Sequence, residues 1–176
     1  MSSPTPRHDH AERAGYEHTA NPLPLVAKKA IFRLSIRAHP NGALVAQLVE
    51  NASVEVGSRI WRANDISVVG TAHSVFDASK CGDPVTISSI SSDGLAGACR
   101  AVDHFDWASL LGMPPGWVGE VPIETWAEDP PFRAFDPAVV EVRAFDSTLA
   151  EVYSRDVRVL EMLRAVHGGL IDHEQR

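Results

Sequence analysis

The C-terminal third contains a strand–turn–strand–helix pattern that constrains the fold more than any other segment. Residues 139–145 alternate apolar and polar side chains, and residues 149–154 return as a second strand. Asp146 and Ser147 lie between the two strands and have the residue types of a tight turn. Two adjacent antiparallel strands followed by a helix favour an α+β fold over an α/β fold.

The predicted helix has recognisable signals at both ends. Asp156 is a preferred N-cap residue, and Gly168 with Gly169 ends the periodic pattern. Residues at helical spacing form a predicted apolar stripe: Val157, Leu160, Leu163 and Val166.

The first half of the sequence has mainly strand patterns. Residues 30–38 alternate clearly, and His39-Pro40-Asn41-Gly42 has turn chemistry. Residues 43–49 are therefore predicted to return as the second strand of a hairpin, with a helix as the alternative for this short apolar run. Further β-type segments follow at residues 53–56, 59–62, 66–72 and 85–90.

The pattern changes from strand to helix near residue 92. Ser92 and Asp93 are possible N-caps, and the helix they begin is predicted to end before Gly112. Its apolar residues at helical spacing are Leu95, Cys99, Val102 and Phe105. The sequence therefore predicts an α+β fold, with a mostly antiparallel sheet built from hairpins and two main helices.

The domain organisation follows from where apolar residues begin. Residues 1–22 are rich in Ser, Pro, His and charge, so we expect a disordered N-terminal tail followed by a single α+β domain over residues 23–176. No apolar run reaches the roughly 20 residues of a membrane helix, and residues 1–22 contain no secretion signal. A cytoplasmic protein that does not enter a membrane is the expectation.

Residues 112–137 form a long segment without a regular pattern. Six prolines exclude most helix and strand structure there, and loops of this length are commonly functional or disordered. The segment also contains Trp117 and Trp126, which favours a packed loop. These tryptophans either fill the core or line a pocket or an interface.

The best catalytic candidate is the run Asp103-His104-Phe105-Asp106, which the pattern places at the end of the helix that begins near residue 92. Two carboxylates beside a histidine can orient it as a general acid or base. His73 is a possible partner for His104. The common phosphate-binding, nucleophile-elbow and zinc motifs are absent from the sequence, so it indicates no particular cofactor and predicts no metal site.

Negative charge is concentrated toward the C-terminus. Residues 120–176 hold 12 acidic and six basic residues, which is −6 of the net charge of −7. Such a surface disfavours nucleic acid and suits a basic protein partner. The expected contact residues are Trp117, Glu124, Trp126, Glu128 and Asp129.

Two functions are consistent with these features. The first is a non-catalytic macromolecule-binding protein, of an immunity or inhibitor type, that presents an acidic and aromatic surface. The second is a small enzyme or ligand-binding domain with a pocket near His104 and the Trp- and Pro-rich residues 112–137. A cleft that contains His104 and a second titratable group would favour the second function.

Overall fold

A computed structural model describes most of the protein after residue 29. The described residues are 30–39, 41–70, 75–76, 85–118, 130–132 and 137–174. Residues 1–22, predicted to be a tail, lie outside them.

These residues form seven strands and three helices. The strands are β1 (Ile31–Arg37), β2 (Ile60–Val69), β3 (Val85–Ser91), β4 (His104–Gly112), β5 (Val140–Phe145), β6 (Leu149–Ser154) and β7 (Leu170–Glu174). The helices are α1 (Gly42–Val56), α2 (Ser92–Arg100) and α3 (Val157–His167).

The seven strands make one sheet in the order β3-β2-β4-β5-β6-β1-β7. Every neighbouring pair is antiparallel. This confirms the predicted α+β class and the mostly antiparallel sheet. The β5–β6 hairpin and the helix after it are confirmed as well.

One face of the sheet packs against all three helices. Val45 and Leu48 of α1, Leu95 of α2, and Leu160 and Leu163 of α3 share a single core with apolar residues of the strands. The strand residues alternate along their strands, so their neighbours point to the opposite face. Burial of the apolar face against the helices is the main stabilising term of this layer.

The predicted strand at residues 43–49 is wrong, because these residues belong to α1. Val45, Leu48, Val49 and Ala52 are fully buried at helical spacing, and the helix continues through the segment 53–56 that was predicted to be β-type. Six of the seven residues at 43–49 are apolar, so this short run fits strand alternation as well as helical spacing. The helix was the alternative that the sequence left open.

The Asn41–Gly42 pair begins α1 instead of turning a hairpin. Asn41 has φ −95°, and its side-chain oxygen accepts a 2.8 Å hydrogen bond from the backbone N–H of Phe105. A Cβ on Gly42 would lie 2.3 Å from the carbonyl oxygen of Val102. Glycine is needed here for close approach of α1 to the α2–β4 turn.

The helix that begins at Ser92 is shorter than predicted. It ends at Arg100, and Ser91 is its N-cap, since the Ser91 hydroxyl accepts from the backbone N–H of Gly94 at 3.1 Å. Val102 and Phe105 are buried as expected, but they lie outside the helix. Val102 is in the turn after α2, and Phe105 is in the strand β4.

An irregularity in the pairing explains why the alternation of β4 was missed. Ser67 pairs with Trp107 and Val68 pairs with Phe105, so Asp106 is an extra residue in β4. Phe105 therefore points into the helix-side core, although Trp107 points away from it. The long strand β2 includes residues 60–62 and 66–69 of the predicted segments 59–62 and 66–72, and it has its own irregularity at Asp65, with φ 48°.

Two further differences concern the helices and the C-terminus. The described residues contain three helices instead of two, and β7 follows α3, where no strand was predicted. Within the described ranges, none of the helices has the length and apolar character needed to cross a membrane.

The apolar stripe of α3 is rotated slightly from the prediction. Val159, Leu160 and Leu163 are buried, but Val166 is 62% exposed. The Asp156 carboxylate caps the helix by accepting from the backbone N–H of Arg158 at 3.0 Å, as expected. The Arg158 guanidinium also donates to this carboxylate and lowers the pKa of Asp156.

Truncation of Leu163 tests the packing of α3 on the sheet. We expect Leu163→Ala to lower the free energy of unfolding by about 2–5 kcal/mol, because it leaves a cavity in the shared core. The matched control is Val166→Ala on the same helix, which should change stability by less than about 0.5 kcal/mol. Chemical denaturation measures both. A small loss for Leu163→Ala would contradict the packing described here.

Candidate functional site

The sheet face opposite the helices carries three rows of side chains that run across the strands. The inner row is Arg62, Leu111, Glu141, Tyr153 and Arg33. The middle row is Asn64, Ser109, Arg143, Glu151 and Ser35. The outer row is Ser67, Trp107, Phe145, Leu149 and Arg37. Side chains opposite each other in such rows have Cβ atoms about 5 Å apart.

Burial decreases from the inner row to the outer row. Arg62, Glu141 and Tyr153 of the inner row are buried, as are Asn64 and Arg143 of the middle row. In the outer row Trp107 is 48% exposed, and Arg37 is exposed as well. The face is therefore closed at the inner row and open at the outer row.

Glu141 is the centre of the closed part. Its carboxylate accepts hydrogen bonds from Arg143 Nε at 2.7 Å, from the Ser109 hydroxyl at 2.9 Å and from the backbone N–H of Phe132 at 2.6 Å. The Glu141 and Arg143 side chains are 2% and 5% exposed. The Glu141 carboxylate thus connects β5 with β4, through Ser109, and with the backbone of Phe132.

Glu151 makes a second group of contacts beside the first. Its carboxylate accepts from the hydroxyls of Tyr153 and Ser35, and Arg33 Nη1 lies 3.5 Å away. The Arg143 guanidinium lies over the Tyr153 ring at 5.3 Å, which connects the two groups. Arg33 also contacts Asp172 of β7 at 3.4 Å. The basic residue Arg33 is thus paired on this face.

Burial of these charges has a cost that apolar residues would avoid. The desolvation of a buried ion pair offsets much of its attraction, and replacement by apolar residues is often neutral or stabilising. Burial also lowers the pKa of Arg62. Buried polar networks of this kind are found at functional sites, where they fix the positions of other groups.

The inner row adjoins a small apolar cluster that closes this end of the face. The cluster contains Ile31, Leu111, Met113, Phe132, Ala138 and Tyr153, with Ile60 and Trp117 packed against it. Phe132 has φ 58°, a conformation that a bulky residue adopts at a cost of about 1–3 kcal/mol. The Glu141 hydrogen bond holds its backbone, and the Arg155 guanidinium lies 4.4 Å from its ring centre.

A cluster of titratable residues lies at the opposite end of β4. His104 Nε2 is 3.9 Å from Asp106 Oδ1, and the ring centres of His104 and His39 are 5.9 Å apart. The hydroxyls of Ser67 and Ser147 each lie 3.4 Å from an Asp106 carboxylate oxygen. The His104 side chain is 23% exposed, so it is accessible from solvent.

The β5–β6 turn completes this cluster. Asp146 and Ser147 both have positive φ and are the central residues of a tight turn, in which the backbone N–H of Thr148 donates to the carbonyl of Phe145. Their backbone N–H groups donate to the carbonyls of Asp106 and Phe105. His39 Nδ1 lies 3.3 Å from the Ser147 carbonyl, so it donates there. The turn thus contacts Asp106 and His39, which are the two residues next to His104 in this cluster.

The structure assembles part of the predicted catalytic group. His104 and Asp106 come together, but on a strand instead of at a helix end. Asp103 is exposed, and its backbone connects the α2–β4 turn to Val69 and Gly42. His73 lies outside the described residues.

The predicted contact residues are mostly beyond what the structure describes. Glu124, Trp126, Glu128 and Asp129 lie outside the described residues. Trp117 is half-buried against the apolar cluster at the closed end. Trp117 comes five residues after Gly112, the last residue of β4, whereas His104 is the first residue of β4. A strand of nine residues spans roughly 26 Å. Trp117 and His104 are therefore at opposite ends of the face.

The buried charges were missed by the sequence reasoning. Glu141, Arg143 and Glu151 occupy the polar positions of alternating strands, which usually face water. A signal was present, because the two strands of one hairpin carry opposite charges at positions that pair. His39 was interpreted only as part of a turn, although the backbone returns past it at Ser147.

Two other chemical features have little to do with this face. Cys99 is a buried thiol, and burial raises its pKa far above the ordinary value, which makes it inert. Among the described residues, no group of three or more His, Cys, Asp or Glu side chains is arranged to hold a metal ion.

Comparison with known proteins gives no family or function for this sequence. It matches no protein-family model, no curated protein and no solved structure.

Removal of the Glu141 carboxylate tests whether it holds the closed end together. We expect Glu141→Ala to lower the free energy of unfolding by about 3–5 kcal/mol, because Arg143 loses its buried partner. The control is Glu161→Ala on the exposed side of α3, with an expected change below about 0.5 kcal/mol. Denaturation at low and high salt should give the same loss for Glu141→Ala, since burial shields the pair from screening. A small or salt-sensitive loss would contradict this assignment.

Proposed function

We propose that this protein binds a small, flat, partly apolar molecule on the outer row of the sheet face opposite the helices. The observation that carries the proposal is the exposure of Trp107 in that row. Tryptophan is usually well buried, and an exposed one beside apolar neighbours is typical of a binding site.

The neighbours of Trp107 provide a surface of suitable chemistry. Phe145 lies directly opposite it and Leu149 comes next in the row, both of them half-buried. His104 and Asp106 lie on the same strand within three residues. An apolar surface with a few polar groups at its margin is the usual composition of a small-molecule site.

The buried rows support this surface from one side. Arg143 is the second residue before Phe145 on β5, and Glu151 is the second after Leu149 on β6. The contacts of Arg143 and Glu151 hold in place the β5–β6 hairpin, which also carries Phe145 and Leu149 of the outer row. A site built on strands and supported by a hydrogen-bonded layer is held in position before the ligand arrives.

The acidic docking surface for a basic protein is the less favoured function. It depends on Glu124, Trp126, Glu128 and Asp129, which lie outside the described residues. Two acids of the same third, Glu141 and Glu151, are buried in the sheet and cannot contribute to a surface. The exposed row with Trp107 therefore favours the ligand-binding function.

The test uses indole as a probe, with tryptamine and indole-3-acetate to vary the charge. We expect saturation-transfer NMR to detect indole binding to the wild-type protein. Trp107→Leu should weaken the affinity at least about tenfold, since loss of an aromatic contact and its buried area exceeds about 1.4 kcal/mol.

The matched control is Trp117→Leu at the closed end of the same face. It removes a tryptophan as well, so it should leave the affinity for indole unchanged while thermal melting confirms that the variant is folded. Equal binding by Trp107→Leu and the wild type, or no binding of any of the three probes by the wild type, would overturn the proposal.

A further inference from the structure

The cluster around His104 has the components of a proton-transfer site. It contains an accessible imidazole, a carboxylate 3.9 Å from it, and two hydroxyls at 3.4 Å from the carboxylate oxygens. Imidazole is the side chain whose ordinary pKa best suits proton transfer near neutral pH. A carboxylate that orients the ring is the common second component.

The orientation of the imidazole follows from its partner. His104 Nε2 is the ring nitrogen that faces Asp106, so the carboxylate favours the tautomer with the proton on Nε2. Nδ1 is then the nitrogen that can accept a proton. Catalytic hydrogen bonds are often long before a substrate binds, so a separation of 3.9 Å is compatible with this role.

Asp106 is itself fixed by the fold. It is the extra residue in the pairing of β4 with β2, and its backbone carbonyl accepts from the N–H of Asp146 at 2.7 Å. Its carboxylate lies between Ser67 of β2 and Ser147 of the β5–β6 turn. Irregularities of this kind often re-aim side chains next to active sites.

The proposed ligand surface is adjacent to this imidazole. Trp107 and His104 are three residues apart on β4, a separation of about 10 Å or less along the strand. His104 pairs with Val69 of β2, and Trp107 pairs with Ser67 of β2. His104 and Trp107 therefore both lie beside the C-terminal end of β2. A flat molecule on Trp107 can therefore extend to His104.

We infer that His104 is the general base of an enzymatic site, that Asp106 positions it, and that the substrate is a small flat molecule held on Trp107. The inference rests on the proposed ligand-binding function. In the reaction, His104 Nδ1 accepts a proton from the substrate, and the resulting imidazolium returns it to product or to water.

The experiment uses 5-nitrobenzisoxazole, a flat aromatic probe that one base converts to a coloured product. The base takes the proton from C3, the electrons of the C–H bond form the nitrile, and the N–O bond breaks to release a phenolate. The reaction needs no second reactant. Initial rates of phenolate release are measured by its absorbance for the wild type and the variants, with buffer as the blank.

We expect the wild type to exceed the buffer rate. His104→Gln should lower this acceleration by about 10²–10⁴-fold, which is the usual contribution of a general base. Asp106→Asn should lose less, because the base is still present but no longer held. The wild-type rate should also show a primary isotope effect with the C3-deuterated probe, and the enzymatic part of this effect should disappear in His104→Gln.

The control is His173→Gln, an exposed histidine on β7 at the far edge of the sheet, which should keep the wild-type rate. An equal rate in His104→Gln and the wild type, or a wild-type rate no higher than buffer, would overturn the inference. Indole binding separates the two proposals. If the wild type and His104→Gln both bind indole but the wild type shows no proton transfer, the ligand site stands and the catalytic role is wrong.

Discussion

The three hydrogen bonds to the Glu141 carboxylate are the interaction on which the sheet face opposite the helices depends. They join a hydroxyl of β4, a guanidinium of β5 and the backbone of Phe132 in a buried region. A buried carboxylate without hydrogen-bond donors is costly, so the three donors stabilise Glu141 at this position. Phe132 is in a strained conformation, and the hydrogen bond from its backbone to Glu141 helps to hold it against the sheet, together with the apolar cluster and Arg155.

This constraint divides the face into a closed part and an open part. The apolar cluster and the two buried carboxylate groups close the inner and middle rows, so the outer row is the part of this face that is open to solvent. The helix side is already filled by the main core. Trp107 and His104 therefore lie in the accessible part of the face, next to its hydrogen-bonded rows, as the proposed ligand site requires.

Local patterns predicted the parts of the fold whose contacts are local. The β5–β6 hairpin and α3 were found because alternation, turn residues and the Asp156 cap agree with each other. The strand β4 was missed because the extra residue at Asp106 breaks its alternation. The proximity of His104 and Asp106 was predicted, since they are neighbours in sequence. Glu141 was missed because burial of its charge depends on a segment without a regular pattern, and Trp107 because exposure depends on the whole sheet.

The most direct test of the open outer row is an indole titration followed by the assigned backbone amide chemical shifts. We predict changes that are confined to the outer row and its neighbours, including Ser67, Trp107, Phe145 and the turn at Ser147. The amides of the inner row around Glu141 should keep their positions, because that part of the face is closed. Changes on the helices or at the outer edges of β3 and β7, without changes at Trp107, would contradict this division of the face.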